Sequence, residues 1–97
     1  MAELIQQHVN VEDVERANMY GGPELGIATP VPFGLFNRQW EDLKEAMVEG
    51  DELWFLKHSN ETRGRMFEME EYVVKRGDEI VKSMVTELSY LTWVTAP

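Results

Sequence analysis

Near residue 50 the spacing of apolar residues switches from that of a helix to that of a strand. Trp40, Leu43 and Met47 form one stripe at helical spacing, with Asn37 as candidate N-cap and Gly50 as candidate C-terminal stop. They predict one long helix over about 38–49. Leu53-Trp54-Phe55-Leu56 then predicts a short strand, apolar on both faces and so central in a sheet. A further strand is expected from Met66 to Lys75, turning back through Arg76-Gly77-Asp78 into Glu79 to Thr86. Glu70-Glu71 breaks the alternation between Phe67/Met69 and Val73, which predicts a bulge or a change of register there. The apolar tail, Leu88 to Val94, either extends the last strand or adds another. The expectation is a two-layer α+β fold, an antiparallel β-meander of about three to four strands with the Trp40/Leu43/Met47 stripe on one face.

The first third has a different texture. Leu4 to Val9 predicts a short strand, and pairing with the meander would make a sheet of about four strands. Asn10 is a candidate N-cap for a shorter helix over about 11–20, with Val11, Val14 and Ala17 on one face and Glu12, Asp13 and Glu15 near its positive end. Gly21-Gly22-Pro23 ends that helix. Residues 21–36 hold Pro23, Pro30 and Pro32 with Gly21, Gly22, Gly26 and Gly34, and so are expected to form an irregular loop. Leu25, Ile27, Val31, Phe33, Leu35 and Phe36 make that loop apolar enough to lie across the core as a cover.

Ninety-seven residues and a 43% hydrophobic fraction fit one domain over 1–97, an N-terminal part to 36 and a helix-plus-meander part from 37. The chain has no cysteine, which excludes a disulfide framework and a thiolate metal site, and His8 and His58 are too few for an imidazole site. No cofactor or metal is expected. The N-terminal residues lack a basic and apolar leader, and no run is long enough to cross a bilayer, so a cytoplasmic protein is expected. In that compartment Asn60-Glu61-Thr62 is a turn-like polar run rather than a glycosylation site.

Catalytic chemistry finds no purchase. Neither histidine stands beside a nucleophile motif; His8 is most simply a residue of the amphipathic first segment, and His58 is expected at a strand end next to Ser59-Asn60, where polar residues are normal. Gly21-Gly22-Pro23-Glu24-Leu25-Gly26 lacks the amide and the Lys-Ser/Thr of a phosphate-cradling loop. Arg76-Gly77-Asp78 is read as a tight turn, not as an adhesion signal. The aromatics lack the basic stripe that base stacking needs, so most belong to the core, with Tyr90 and Trp93 expected at the surface. No enzyme is expected.

Charge is the unusual global property. Eighteen acids against nine bases give a net charge of −9, which repels phosphate backbones and anionic lipid. Direct nucleic-acid and membrane-surface binding are therefore disfavoured, and basic protein surfaces are the natural partners. The commoner explanation of such acidity is solubility alone.

Glu41, Asp42, Glu45 and Glu49 fall on the expected long helix away from its apolar stripe, Asp51 and Glu52 continue the series, and only Lys44 opposes them. At about 1.5 Å per residue the four helical carboxylates span about 12 Å, about one charge per 3 Å, near the ~3.4 Å of one DNA strand. Glu68, Glu70 and Glu71 would extend this partner-binding set if they lay on the same side. Against this stands the rule that a helix's outer face is ordinarily charged and needs no partner.

The segments Trp40-Glu41-Asp42-Leu43, Gly50-Asp51-Glu52-Leu53-Trp54-Phe55, Gly64-Arg65, Tyr72-Val73-Val74-Lys75-Arg76-Gly77-Asp78-Glu79-Ile80-Val81 and Val85-Thr86 resemble a small bacterial domain found in uncharacterised proteins. In that pattern Gly-Arg leads almost at once into the strand before the hairpin, whereas here Met66 to Glu71 intervene. The resemblance implies a structural motif and no activity. Size, acidity and a distinct N-terminal third also resemble phage-encoded anti-CRISPR or anti-restriction inhibitors. That likeness implies a non-catalytic inhibitor that occupies a basic nucleic-acid-binding surface by DNA mimicry. The competing expectation is an accessory domain that associates through apolar surface, as a homodimer or in a hetero-complex, by way of Tyr90/Leu91/Trp93 or Leu35/Phe36.

Overall fold

The computed structural model describes residues 2–22, 27–62 and 65–92. In chain order the elements are β1 (Ala2–Val9), α1 (Val11–Ala17), β2 (Met19–Gly22), β3 (Ile27–Pro32), a 3-10 turn (Gly34–Phe36), α2 (Asn37–Glu45), β4 (Glu52–Thr62), β5 (Arg65–Arg76) and β6 (Glu79–Thr92). The fold is α+β, as the residue pattern predicts, but strand predominates and both helices are short. A four-stranded antiparallel sheet runs in the order β1-β4-β5-β6, and β2-β3 forms a separate two-stranded ribbon. The doubly apolar segment Leu53–Leu56 does lie on a central strand, between β1 and β5.

The core sits at one end of the sheet. Val14 of α1 and Trp40 and Leu43 of α2 pack on Leu53, Val74 and Met84, with Val9, Phe33, Met47 and Tyr72 at the margin. Phe33, Trp40, Tyr72 and Phe55 make a chain of tilted and edge-on ring contacts, with centroids 4.9 to 6.0 Å apart. Trp40 and Leu43 are fully buried, so the helical stripe read from sequence is the packed face.

α1 begins as expected: the Asn10 side chain accepts the Asp13 amide at 2.8 Å. It stops at Ala17, not near residue 20, because the Asn18 side chain donates to the Val14 carbonyl and Met19-Tyr20 pair with Pro32-Val31. The irregular loop expected over 21–36 is therefore partly a hairpin. Pro30 and Pro32 are tolerated because a two-stranded ribbon has only one paired edge per strand. Of the expected cover, Phe33 reaches the core while Leu35 and Phe36 are exposed; Leu25 and the Ile27 side chain lie outside the described residues.

The long helix over 38–49 is corrected to Asn37–Glu45. Asn37 does not cap it. Its side chain donates to the Pro32 carbonyl at 3.0 Å, and the 3-10 turn leads directly into the helix. At the other end, the Asp51 carboxylate accepts the Val48 amide at 2.9 Å and grips the Arg76 guanidinium at 2.9 and 3.0 Å. Arg76 also reaches the Ala46 carbonyl. These contacts offer the backbone at 46–51 an alternative to helix, and Gly50, at φ 92°, makes the turn.

β6 has 14 residues against 12 in β5, and its two extra residues fall where the register shifts, opposite Glu70/Glu71 and Val74/Lys75. The irregularity expected at Glu70-Glu71 is present, but the additional residue, Thr86, belongs to the partner strand. The tail extends β6 to Thr92, while Trp93 lies outside the described residues, as do the side chains of Tyr90 and Leu91.

Candidate functional site

Side chains alternate faces along a strand, so the register assigns each residue to one side of the sheet. The side carrying the helices has the rows Val9-Leu53-Val74 and Gln7-Phe55-Tyr72-Met84 under the helical layer. Farther along, the same side presents Ile5-Lys57-Glu70-Glu87, then Glu3-Ser59-Glu68-Ser89, then Glu61 beside Met66. None of these farther residues belongs to the core cluster. The helices are too short to reach them, and among the described residues nothing covers this half of the face, which is rich in carboxylates.

Its centre is the pair Glu70 and Glu87, directly opposed across β5 and β6. The hydrogen bond between their carboxyls holds Glu70 above the ordinary carboxylate range, helped by desolvation and by the charges of Glu87 and Glu68, against the nearby Lys57 ammonium. Glu70 retains a proton more readily than an isolated glutamate does.

The sequence-predicted acidic set is divided among several places. Glu68 and Glu70 are on the acidic face, but Glu71, one residue on, points to the reverse face and bonds His58 at 2.8 Å. Glu52 is also on the reverse face, where it accepts the Trp54 indole N–H. Glu41 pairs with Lys44 at 3.0 Å, and Lys44 also bonds Glu15 at 2.7 Å. Asp51, with its side chain 1% exposed, is committed to Arg76, which together with the Val48 amide lowers its pKa. Asp42, Glu45 and Glu49 are exposed on α2 and the turn after it. Sequence reading missed Glu3, Glu61 and Glu87. For Glu87 the only available signal was its parity on β6, which the two extra residues, Val81 and Thr86, each invert, so its side follows from the register and not from local alternation.

The reverse face is of another kind. Its rows read His8-Trp54-Val73-Ser83, Gln6-Leu56-Glu71-Val85 and Leu4-His58-Met69-Leu88. Leu56 and Val73 are buried although no other described element forms a layer on this side; Trp54, their neighbour on this face by register, has His8 stacked on it at 5.2 Å and Lys75 over it at 4.5 Å. Leu4, Val85 and Leu88 remain about half exposed or more. His58 is thus a mid-strand residue paired with a carboxylate, not the strand-end residue expected.

No protein-family model, curated protein or solved structure matches the chain. Among the described residues no three His, Asp or Glu side chains gather to hold a metal ion, and no helix is long and apolar enough to cross a membrane. Arg76-Gly77-Asp78 is the β5–β6 turn, with Gly77 at φ 64°. Most of the 21–26 glycine segment lies outside the described residues.

Proposed function

We propose that this chain is a non-catalytic binding protein whose acidic face docks on a Lys/Arg-lined protein surface that otherwise holds nucleic acid, making it an inhibitor of the DNA-mimic kind. One observation carries the reading: among the described residues, the uncovered half of the helix-bearing face sets Glu3, Glu68, Glu70 and Glu87 against Lys57. Four carboxylates facing one ammonium leave a net excess of negative charge on two rows about 6.7 Å apart, a density on the order of the 3.4 Å per charge of a DNA strand. A field of that density steers a basic partner and excludes a polyanion from the same groove. An arriving lysine or arginine between Glu70 and Glu87 relieves the repulsion that raises the Glu70 pKa. The likeness to phage-encoded inhibitors belongs to the same reading.

The chain, immobilised and exposed to lysate, should retain a basic nucleic-acid-binding protein that elutes with salt and with duplex DNA. Capture that resists both would overturn the proposal. A second reading, association through apolar surface, is favoured by Leu35 at 84% exposure and by Met19, Tyr20 and Phe36 beside it around an open depression.

A further inference from the structure

The reverse face of the sheet presents apolar side chains on a side that no other described element covers, which antiparallel sheets ordinarily leave polar. We infer that it is the interface of a symmetric dimer, in which two copies pack sheet on sheet and leave their acidic faces outward. The inference is independent of the docking proposal.

Charge selects the occupant. The chain carries −9 overall, yet the described reverse face balances Glu52 and Glu71 against Arg65 and Lys75. Two copies meeting through the acidic face would press like charges together, whereas here the approach is electrically neutral. A basic partner, conversely, finds no excess of carboxylate on this side to hold it.

Area agrees. Four strands about 4.8 Å apart and five rows about 6.7 Å apart make a footprint of about 600 Å² before corrugation, near the ~800 Å² per partner of a standard interface. The Cα extent of the molecule is only 17 Å in its thinnest direction, which is one sheet and one partial helical layer. A second sheet about 10 Å away would complete the sandwich this face lacks.

The polar groups on the face also suit burial. Glu71 and His58 satisfy each other at 2.8 Å near its centre, and the Trp54 N–H is donated to Glu52 at 3.2 Å. Closing the interface over these pairs leaves no new orphaned donor at either site. A two-fold axis near Met69 sets Leu4, Val85 and Leu88 of one copy against the same surface of the other.

The test is light scattering on the full chain from about 1 to about 200 µM, a range that brackets the weak end of affinities for interfaces of this size. Twice the chain mass at the upper end, undiminished by added salt, is expected. Leu88→Lys, and on a different strand Leu4→Lys, should each give the single-chain mass with an unchanged circular dichroism spectrum. Glu68→Lys on the acidic face and Leu35→Lys on the 3-10 turn should leave the doubled mass intact, so failure here is distinguishable from failure of the docking proposal. A single-chain mass for the wild type throughout the range overturns the inference, as does a doubled mass that survives both Leu88→Lys and Leu4→Lys.

Discussion

Glu70 on β5 and Glu87 on β6 stand directly opposite each other with their carboxyls hydrogen-bonded, one step before the strand pair changes register. Like charges in that relation oppose folding when both ionise. Glu87→Gln, which keeps a hydrogen-bonding group and removes one charge, should raise stability to urea at neutral pH by about 0.5 kcal/mol. An unchanged or lower midpoint would count against the pairing.

The same pair sets a sign for pH. The folded pKa of Glu70 is raised, so the fold holds that proton more tightly than the unfolded chain does, and stability climbs as pH falls through the interval between folded and unfolded values. Glu15 and Asp51 act oppositely. Their pKa values are lowered, chiefly by hydrogen bonds from Lys44 and Arg76, so their contributions vanish as pH falls through the lower, folded values. Urea titrations should therefore show stability rising on mild acidification and falling at stronger acid. In Glu70→Gln the rise should shrink while the acid-side fall remains.

Trp40 joins the two helices as well as filling the core. It is fully buried, and its indole N–H donates at 2.8 Å to Glu15, which also accepts Lys44. Trp40→Ala should cost about 4 kcal/mol. Glu15→Gln, which spares an acceptor for the indole and loses the ion pair, should cost about 1 kcal/mol by the same unfolding assay.

Gly34 is held by conformation and by space. Its φ is 52°, and a Cβ there would run into the Tyr20 ring. Gly34→Ala should cost about 2 kcal/mol or more and loosen the β2-β3 ribbon, seen as a loss of amide protection at Tyr20 and Val31. Gly50→Ala, where nothing lies within 4 Å, meets only the backbone penalty of about 1 kcal/mol.

The sheet was largely legible because alternation is local: Leu53–Leu56, Met66–Lys75 and the Gly77 turn each announce themselves within a few residues. The apolar stripe of α2 was equally plain. Its length was not, since Asp51 and Arg76, which claim the backbone after Glu45, are brought together only by the fold. The ribbon at residues 19–32 was hidden by prolines that forbid a central strand but allow a two-stranded one. The acidic face was partly legible. Composition announced a surplus of carboxylates, but which of them share a side depends on register, and an extra residue at Thr86 moves Glu87 beside Glu70.

Charge reversal within the acidic face tests the functional account most directly. Lysate capture and competition by duplex DNA would be compared for wild type, for Glu68→Lys/Glu70→Lys/Glu87→Lys, and for Glu41→Lys/Asp42→Lys/Glu45→Lys, each checked for folding by circular dichroism. The account predicts that reversal on the sheet abolishes salt-sensitive, DNA-displaceable capture, while reversal on α2 weakens it only in part. Capture of the same partner, undiminished by the sheet reversal in a folded variant, would contradict it.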